Sequence, residues 1–294
     1  MPLASAATTW NVEPLQLVPT LVVALLYLRR TRTLARRGQP VAGWRQFLFW
    51  LGIGLVVIAL NSPVDALGEQ DFFFVHMTQH ILLGDLAPLC FVADLTGPVL
   101  RPVLALRPVD RLRFLTHPLV ALPVWAVNLY VWHIPVLYQA ALHHNAIHAL
   151  EHFLFFTCGC LMWSPVLETL PAPEWFGTAW KLGYIAVVRL LETILGNVFI
   201  WSSSAFYSWY VARLPRWGIT AVHDQNLAGV VMMAEGSLVT LGALAWLFLK
   251  LAAEGEMRQQ LLEQGHDPVR VKRAVRYGRA HEFGEGTAGR PLNP

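Results

Sequence analysis

The sequence has few charged residues for its length. Of its 294 residues only 14% are Asp, Glu, Lys or Arg, whereas an average soluble globular domain carries about 25%. Charged residues are also missing from long continuous blocks instead of being thinned evenly along the chain. This pattern excludes an ordinary soluble domain and predicts a polytopic membrane protein.

Cysteine is also scarce. The three cysteines, Cys90, Cys158 and Cys160, all lie inside apolar runs, so they do not form the framework of a disulfide-stapled secreted domain. The first ten residues, MPLASAATTW, contain no basic residue, and we expect no cleaved signal peptide. The net charge is only +3, and we expect no nucleic-acid partner.

What the sequence does contain is a series of apolar segments, each long enough to cross a hydrocarbon core of about 30 Å. They are residues 13–28, 44–61, 72–93, 118–139, 146–168, 180–201 and 225–249. The sequence therefore predicts an all-α membrane protein with seven transmembrane helices in residues 1–250. Residues 251–294 are polar and basic, which predicts a short surface helix followed by a partly disordered cytoplasmic tail.

The distribution of basic residues predicts the orientation. Arginines are concentrated in the first and third connections, between residues 29–45 and 101–113, and basic residues recur in the tail. The second connection contains Asp65, Glu69 and Asp71 but no Lys or Arg. Because basic loops stay in the cytoplasm, we expect a multi-pass protein of the plasma membrane with its N-terminus outside and its C-terminus in the cytoplasm.

This orientation brings six histidines from four helix ends to one depth on the outer side of the membrane. They are His76, His80, His133, His148, His152 and His223. Imidazole is costly near the acyl region unless it has a partner, and neutral imidazole is a ligand for Zn, Cu, Fe and Ni. The pairs 76/80 and 148/152 are spaced i, i+4, which places both rings on one helix face. The sequence therefore predicts a metal or haem site formed by His76, His80, His133, His148 and His152.

Three further residues are candidates beside this site. His223, Asp224 and Glu151 could each bind the metal or orient one of its ligands. HALEH, residues 148–152, also matches the H-x-x-E-H box of inverted zinc proteases. The residues leave four interpretations open: a copper site, a haem site, a zinc hydrolase with Glu151 as its general base, and interfacial histidines that bond to each other, to water or to carbonyls.

Other polar residues lie deeper in the predicted helices. Arg189, Glu192 and Glu235 are near mid-membrane, as is Asp85. They predict an internal polar network that fixes helix packing, with a proton or ion path as the alternative. A run of sulfur ligands at positions 158, 160 and 162 could hold Cu(I), although Cys and Met are common in apolar cores.

Four segments resemble the CtaG-type assembly factors of bacterial cytochrome c oxidase. They are HMTQHILLGDLAPL, VWHIPVLYQAAL, IHALEHFLFFTCGCLMWSPV and DQNLAGVVMM, and they occur in the order of that family. The family's histidines fall on His76, His80, His133, His148 and His152, and its aspartate falls on Asp224. The sequence departs from the family pattern at Asp85, Asp94 and Ala234.

The resemblance implies a seven-helix protein of the bacterial plasma membrane that helps to mature a haem–copper oxidase, at the copper step. We therefore expect a metallochaperone that is not an enzyme and has no catalytic residues. Copper is the expected cargo, with zinc or haem as alternatives. The expected partners are oxidase subunits, a copper donor protein and the lipid bilayer, and the chain could also associate with itself.

Overall fold

All regular elements in the described part of the chain are helices. The computed structural model describes residue 10, residues 14–281 and residue 283. The helices α1 to α7 are Pro14–Arg36, Gly43–Asn61, Pro63–Gln70, Phe73–Ile81, Ala87–Asp94, Gly97–Leu104 and Arg107–Arg111. The helices α8 to α14 are Pro118–Trp132, Pro135–His143, Asn145–Leu167, Thr178–Trp201, Ser208–Val211, Ala221–Glu263 and Pro268–Arg276. A π-helical segment, Leu82–Leu86, joins α4 to α5, and 3-10 segments lie at Leu112–Thr116 and Leu214–Trp217. The predicted all-α class is confirmed for these residues.

Among the described residues, four helices, α2, α10, α11 and α13, are long and apolar enough to cross a membrane. The number rises to six if each of two pairs of consecutive helical segments is counted as one span. The segments of these pairs are bent against each other by 100° and 85°. A polytopic membrane protein is therefore supported, whereas seven spans are not confirmed. The first predicted segment falls on α1, which is not among the candidate spans.

Prolines produce the break in the segment predicted over residues 118–139. Helix α8 ends at Trp132 and α9 begins at Pro135. The residue before a proline is driven out of the helical region, and Ile134 has ψ 127°. The interruption places His133 at the C-terminal cap of α8, on a turn instead of within a helix.

The π-helical segment between α4 and α5 has a similar cause. Pro88 has no N–H, so it cannot bond the carbonyl oxygen of Gly84 as the next helical turn requires. The Ala87 N–H instead bonds the carbonyl of Leu82, five residues back. Such π-bulges are frequent at functional sites, and this one follows directly after the helix that carries His76 and His80.

Close packing between α10 and the π-helical segment depends on a glycine. A Cβ atom added to Gly159 would lie 2.1 Å from the carbonyl oxygen of Gly84, a distance that no side chain tolerates. Small residues permit this kind of close helix approach in membrane proteins. The approach matters because α10 carries His148 and His152 and lies against the continuation of the helix that carries the other histidine pair.

The chain forms two compact units, the first of which comprises residues up to Pro173 together with Val188–Ser237. Its core includes an aromatic stack in which the rings of Tyr27 and Phe49 lie 3.5 Å apart. All the candidate site residues lie in this unit. The predicted division at residue 250 stays a prediction, and α13 continues without a break through that position.

The second unit comprises Glu174–Val187 and the residues from Leu238 onward. Its basic helix α14 begins at a cap in which Asp267 accepts a hydrogen bond from the Arg270 N–H at 2.8 Å. Arg273 pairs with Glu174 at 3.2 Å, and Arg276 donates to the Glu174 carbonyl. The disorder predicted for the end of the tail falls on residues 284–294, which lie outside the described residues.

Candidate metal centre

The structure brings all five predicted histidine ligands into one buried cluster. His76, His80, His133, His148 and His152 are each at most 7% exposed. The ring centroids of His148 and His152 lie 4.1 Å apart, those of His76 and His80 4.4 Å, and those of His76 and His148 5.3 Å. His133 is at the edge, with its ring 6.1 Å from that of His80. The i, i+4 pairs therefore face each other across α4 and α10.

Asp224 fixes the start of the helix that carries His76 and His80. Its two carboxylate oxygens accept hydrogen bonds from the backbone N–H groups of Phe73 and Phe74, at 2.7 and 3.3 Å. The first N–H groups of a helix have no partner within the helix, and an acidic side chain is the preferred acceptor there. The carboxylate is fully buried, so Asp224 acts in this structure as a cap supplied by α13.

The hydrogen bonds around Tyr210 set the tautomer of His76. Tyr210 Oη lies 2.8 Å from the carbonyl oxygen of Gly68. It also lies 3.0 Å from Tyr138 Oη and 3.3 Å from His76 Nδ1. A carbonyl oxygen only accepts, so the single Tyr210 proton goes to Gly68 and the phenol oxygen accepts from the other two groups. Burial raises the pKa of Tyr210 well above its usual range, which keeps that proton in place. His76 therefore carries its proton on Nδ1, and its Nε2 presents a lone pair.

That lone pair faces the second histidine of the same helix. His76 Nε2 and His80 Nε2 are 2.9 Å apart, so the His80 Nε2–H donates to His76. A metal ion bound to both rings would take the place of this proton. His80 Nδ1 is buried and has no hydrogen-bond partner among the described residues.

Glu69 orients His148 in the same way. Its Oε1 lies 2.7 Å from His148 Nδ1, so the ring donates from Nδ1 and its Nε2 presents a lone pair towards Glu151. A carboxylate that holds the far nitrogen of a ligand histidine is a recurrent feature of metal sites, where it fixes the ring and raises its basicity. The sequence places Glu69 only in an acidic loop, and nothing in the pattern indicates that it pairs with His148.

His133 is held by the helix end on which it lies. Its backbone N–H bonds the Tyr130 carbonyl, which leaves the Leu129 carbonyl without the usual partner from residue 133. The His133 ring fills that role, with Nδ1 2.6 Å from the Leu129 oxygen. Nδ1 therefore carries the proton, and Nε2 lies 3.4 Å from the sulfur of Met77.

Glu151 lies inside the cluster, not beside it. It is fully buried, with Oε1 3.7 Å from His80 Nε2 and Oε2 4.0 Å from His148 Nε2. Both distances are too long for hydrogen bonds. Neither carboxylate oxygen has a hydrogen-bond partner among the described residues, and the same holds for Nε2 of His148 and of His152. Buried polar atoms without partners are costly, and with His80 Nδ1 five such atoms among the described residues belong to one cluster.

Two sets of ligand atoms are close enough to share an ion, each lying within 4.8 Å of one another. One set is His76, His80 and His152, and the other is His76, His148 and Glu151. The sets have His76 in common, so one ion could exchange between them without leaving the cluster. His133 belongs to neither set, and His223 is exposed, with its backbone N–H bonded to Thr220.

The deeper polar residues form contacts that join helices. Arg189 of α11 lies 3.8 Å from Glu192. It also donates to the Met233 carbonyl at 3.0 Å and to Ser237 at 2.8 Å, both on α13. These contacts fit the predicted packing network. Glu235 lines a cavity of about 60 Å³ that reaches His80 and His133.

The two aspartates that depart from the family pattern both have partners. Asp85 accepts a hydrogen bond from the Trp163 indole at 2.6 Å. Asp94 accepts one from the Tyr27 hydroxyl at 2.8 Å. Each contact joins two helices of the first unit and so accounts for its carboxylate, and Asp85 also lines the cavity that reaches His80 and His133.

Comparison with known proteins decides the family. The sequence profile of the cytochrome c oxidase caa3 assembly factors matches residues 25–254. The chain belongs to this family. The match includes every residue of the histidine cluster and confirms the family resemblance of the four segments.

Curated relatives add little beyond the family assignment. The chain is 24% identical over 250 residues to uncharacterized proteins of Mycobacterium bovis and Mycobacterium tuberculosis. The alignment covers 77% of this chain but 37% of each relative, so the chain spans well under half of their length. No solved structure matches the chain at a significant level.

Proposed function

We propose that this caa3 assembly factor binds copper at the histidine cluster and transfers it to a haem–copper oxidase during assembly. The observation that carries the proposal is the direction of the lone pairs. The Tyr210 phenol holds Nδ1 of His76 and the Glu69 carboxylate holds Nδ1 of His148, so Nε2 of each ring points into the cluster. Fixing the far nitrogen in this way is how proteins prepare imidazoles for a metal. The carboxyl oxygens of Glu151, which have no hydrogen-bond partner among the described residues, are available as ligands where a cation would sit.

The arrangement suits a metal ion that the cluster must release as well as bind. Two overlapping ligand sets that share His76 provide alternative, incompletely filled positions for one ion. An ion held by three ligands at a time exchanges more readily than one enclosed by four. Assembly factors of this family act on the oxidase, so oxidase subunits are the proposed acceptor and a copper protein the proposed donor.

The other interpretations fit this geometry less well. A haem needs a slot between its two axial ligands, whereas these rings contact one another, with centroids 4.1–6.4 Å apart. Zinc is the stronger rival, because two histidines and a carboxylate form a common catalytic zinc set, and His76, His148 and Glu151 form such a set here. A zinc hydrolase needs water at the metal, and all three of these side chains are at most 6% exposed.

The topology completes the proposal. With the C-terminus in the cytoplasm, α13 starts at the outer side of the plasma membrane. Asp224 near that start contacts the first turn of α4, so the cluster lies at the outer side. This is the side from which a periplasmic or extracellular copper donor would approach. Fusion of a reporter enzyme to residue 281 tests the orientation, because activity of a reporter that works only in the cytoplasm is expected at that position.

The direct test measures metal in the full-length protein, purified in detergent without chelator after growth with added copper. The His76→Ala/His80→Ala variant removes two of the ligands, and His143→Ala/His144→Ala is the matched control, since those two histidines are exposed. We expect near-stoichiometric copper in the wild type and in the control, and loss of copper in the first variant.

Complementation gives the functional measurement. In a host strain that lacks the chain, the His76→Ala/His80→Ala variant should leave the oxidase deficient in copper, whereas the control variant should restore it. Copper that persists in the cluster variant would contradict the proposal, as would wild-type protein without copper. Stoichiometric zinc together with loss of a hydrolytic activity in Glu151→Gln would favour the hydrolase instead.

A further inference from the structure

Two electron-pair donors face each other at the edge of the histidine cluster with no proton between them. His133 Nε2 and Met77 Sδ lie 3.4 Å apart. The His133 proton is on Nδ1, where the Leu129 carbonyl accepts it at 2.6 Å, and a thioether has no proton to donate. Both residues are buried, with Met77 1% and His133 7% exposed. A charged imidazolium that donated to the sulfur would be costly at this depth, so the contact is not an ordinary hydrogen bond.

The distance suits two ligands of one ion. With metal–nitrogen and metal–sulfur bonds of about 2.0 and 2.3 Å, a separation of 3.4 Å corresponds to an angle of about 100° at the metal, close to tetrahedral. The backbone also fixes both partners. Met77 lies on α4 between His76 and His80, and His133 is held by the end of α8.

The Met77–His133 pair borders a cavity that also reaches the histidine cluster. Met77 and His133 line the cavity of about 60 Å³, together with His80 of the main cluster and a second thioether residue, Met232. His80 therefore borders both the cluster and the cavity. An ion could therefore pass from the imidazole ligands to the nitrogen–sulfur pair by way of His80.

The combination of a sulfur and a nitrogen donor indicates which ion the pair would favour. Thioether sulfur is a soft ligand that favours Cu(I), whereas imidazole accepts Zn(II), Cu(II) and Cu(I) alike. We propose that Met77 and His133 form a cuprous-ion position beside the histidine cluster, which makes the centre selective for Cu(I) over Zn(II). This inference rests on the proposed copper function and adds the oxidation state of the cargo and a sulfur ligand.

The test compares soft and borderline ions on purified full-length protein. Met77→Leu removes the sulfur while nearly preserving volume, a change that cores usually tolerate. Met162→Leu is the matched control, because Met162 is also 1% exposed but lies ten residues beyond His152 on α10, about 15 Å along the helix. Each protein is titrated with Ag(I), a redox-inert substitute for Cu(I), and separately with Zn(II). X-ray absorption at the copper edge then identifies sulfur in Cu(I)-loaded samples.

We expect a sulfur neighbour at the copper of the wild type and of Met162→Leu, and its loss in Met77→Leu. Affinity for Ag(I) should fall about tenfold or more in Met77→Leu, with Zn(II) affinity unchanged. A sulfur neighbour that persists in Met77→Leu would overturn the inference and leave the copper proposal standing. An equal fall for Ag(I) and Zn(II) would also overturn it, since Met77 would then act through packing. Wild-type protein that binds Cu(II) but neither Cu(I) nor Ag(I) would overturn the inference alone, and wild-type protein that binds no copper in either oxidation state would refute both proposals.

Discussion

Replacing Asp224 should destabilise the protein without removing a metal ligand. Its carboxylate is fully buried and accepts two backbone hydrogen bonds from the start of α4, at 2.7 and 3.3 Å. In Asp224→Ala both N–H groups of Phe73 and Phe74 lose their acceptor. In Asp224→Asn the amide oxygen can still accept one of them, so this variant serves as the graded control.

The expected magnitude follows from the two bonds. A hydrogen bond to a charged acceptor contributes about 1.5–3 kcal/mol, and the bond to Phe74 is long and therefore weaker. Loss of a helix cap costs about 0.5–2 kcal/mol in soluble proteins, where water replaces the acceptor. Water is scarce at this buried site, so we expect Asp224→Ala to lower the free energy of unfolding by about 2–4 kcal/mol and Asp224→Asn by about half as much.

The assay measures stability and metal content on the same samples. Thermal unfolding in detergent, followed by the loss of helical circular dichroism, should rank wild type above Asp224→Asn and Asp224→Ala. At temperatures where all three are folded, the copper content of Asp224→Asn should equal that of the wild type. The reasoning is refuted if Asp224→Asn loses copper while it unfolds at the wild-type temperature, because Asp224 would then be a ligand and not a cap.

Two further predictions concern the residues that hold the histidines in place. Glu69→Ala should weaken metal affinity about 10–100-fold by freeing the His148 ring, with little change in unfolding temperature because Glu69 is 36% exposed. Glu69→Gln, which can still accept from Nδ1, should recover part of the affinity, and equal affinity in all three proteins would contradict the assignment. Gly159→Ala should lower both unfolding temperature and metal binding, because its Cβ would meet the Gly84 carbonyl at 2.1 Å. Gly54→Ala on α2, where a Cβ meets nothing within 4 Å, is its control, and equal stability of the two variants would disprove the close approach.

Local pattern was enough to predict the helices and the five histidines that the structure brings together. Continuous apolar blocks of about 20 residues cross a membrane as helices, because a helix bonds every backbone group within its own segment. Spacing of i, i+4 within such a helix places His76 and His80, and likewise His148 and His152, on one face before any tertiary contact is known. The break in the helix after His133 is also predictable from the sequence, because Pro135 follows two residues later.

The partners of those histidines were not predictable in this way. Glu69 reaches His148 from 79 positions away, and Asp224 caps a helix that begins at residue 73. Met77 meets His133 only because the fold brings α4 beside the C-terminal end of α8. Such pairs depend on which helix faces are adjacent, and a single sequence does not show which helices are neighbours in the fold. The sequence by itself therefore determined which histidines share a helix face, and it predicted that these imidazoles would gather in one site. Only the tertiary structure decided which nitrogen of each ring faces the centre, because the acceptor that holds the opposite nitrogen comes from another part of the fold or from an unpaired helix end.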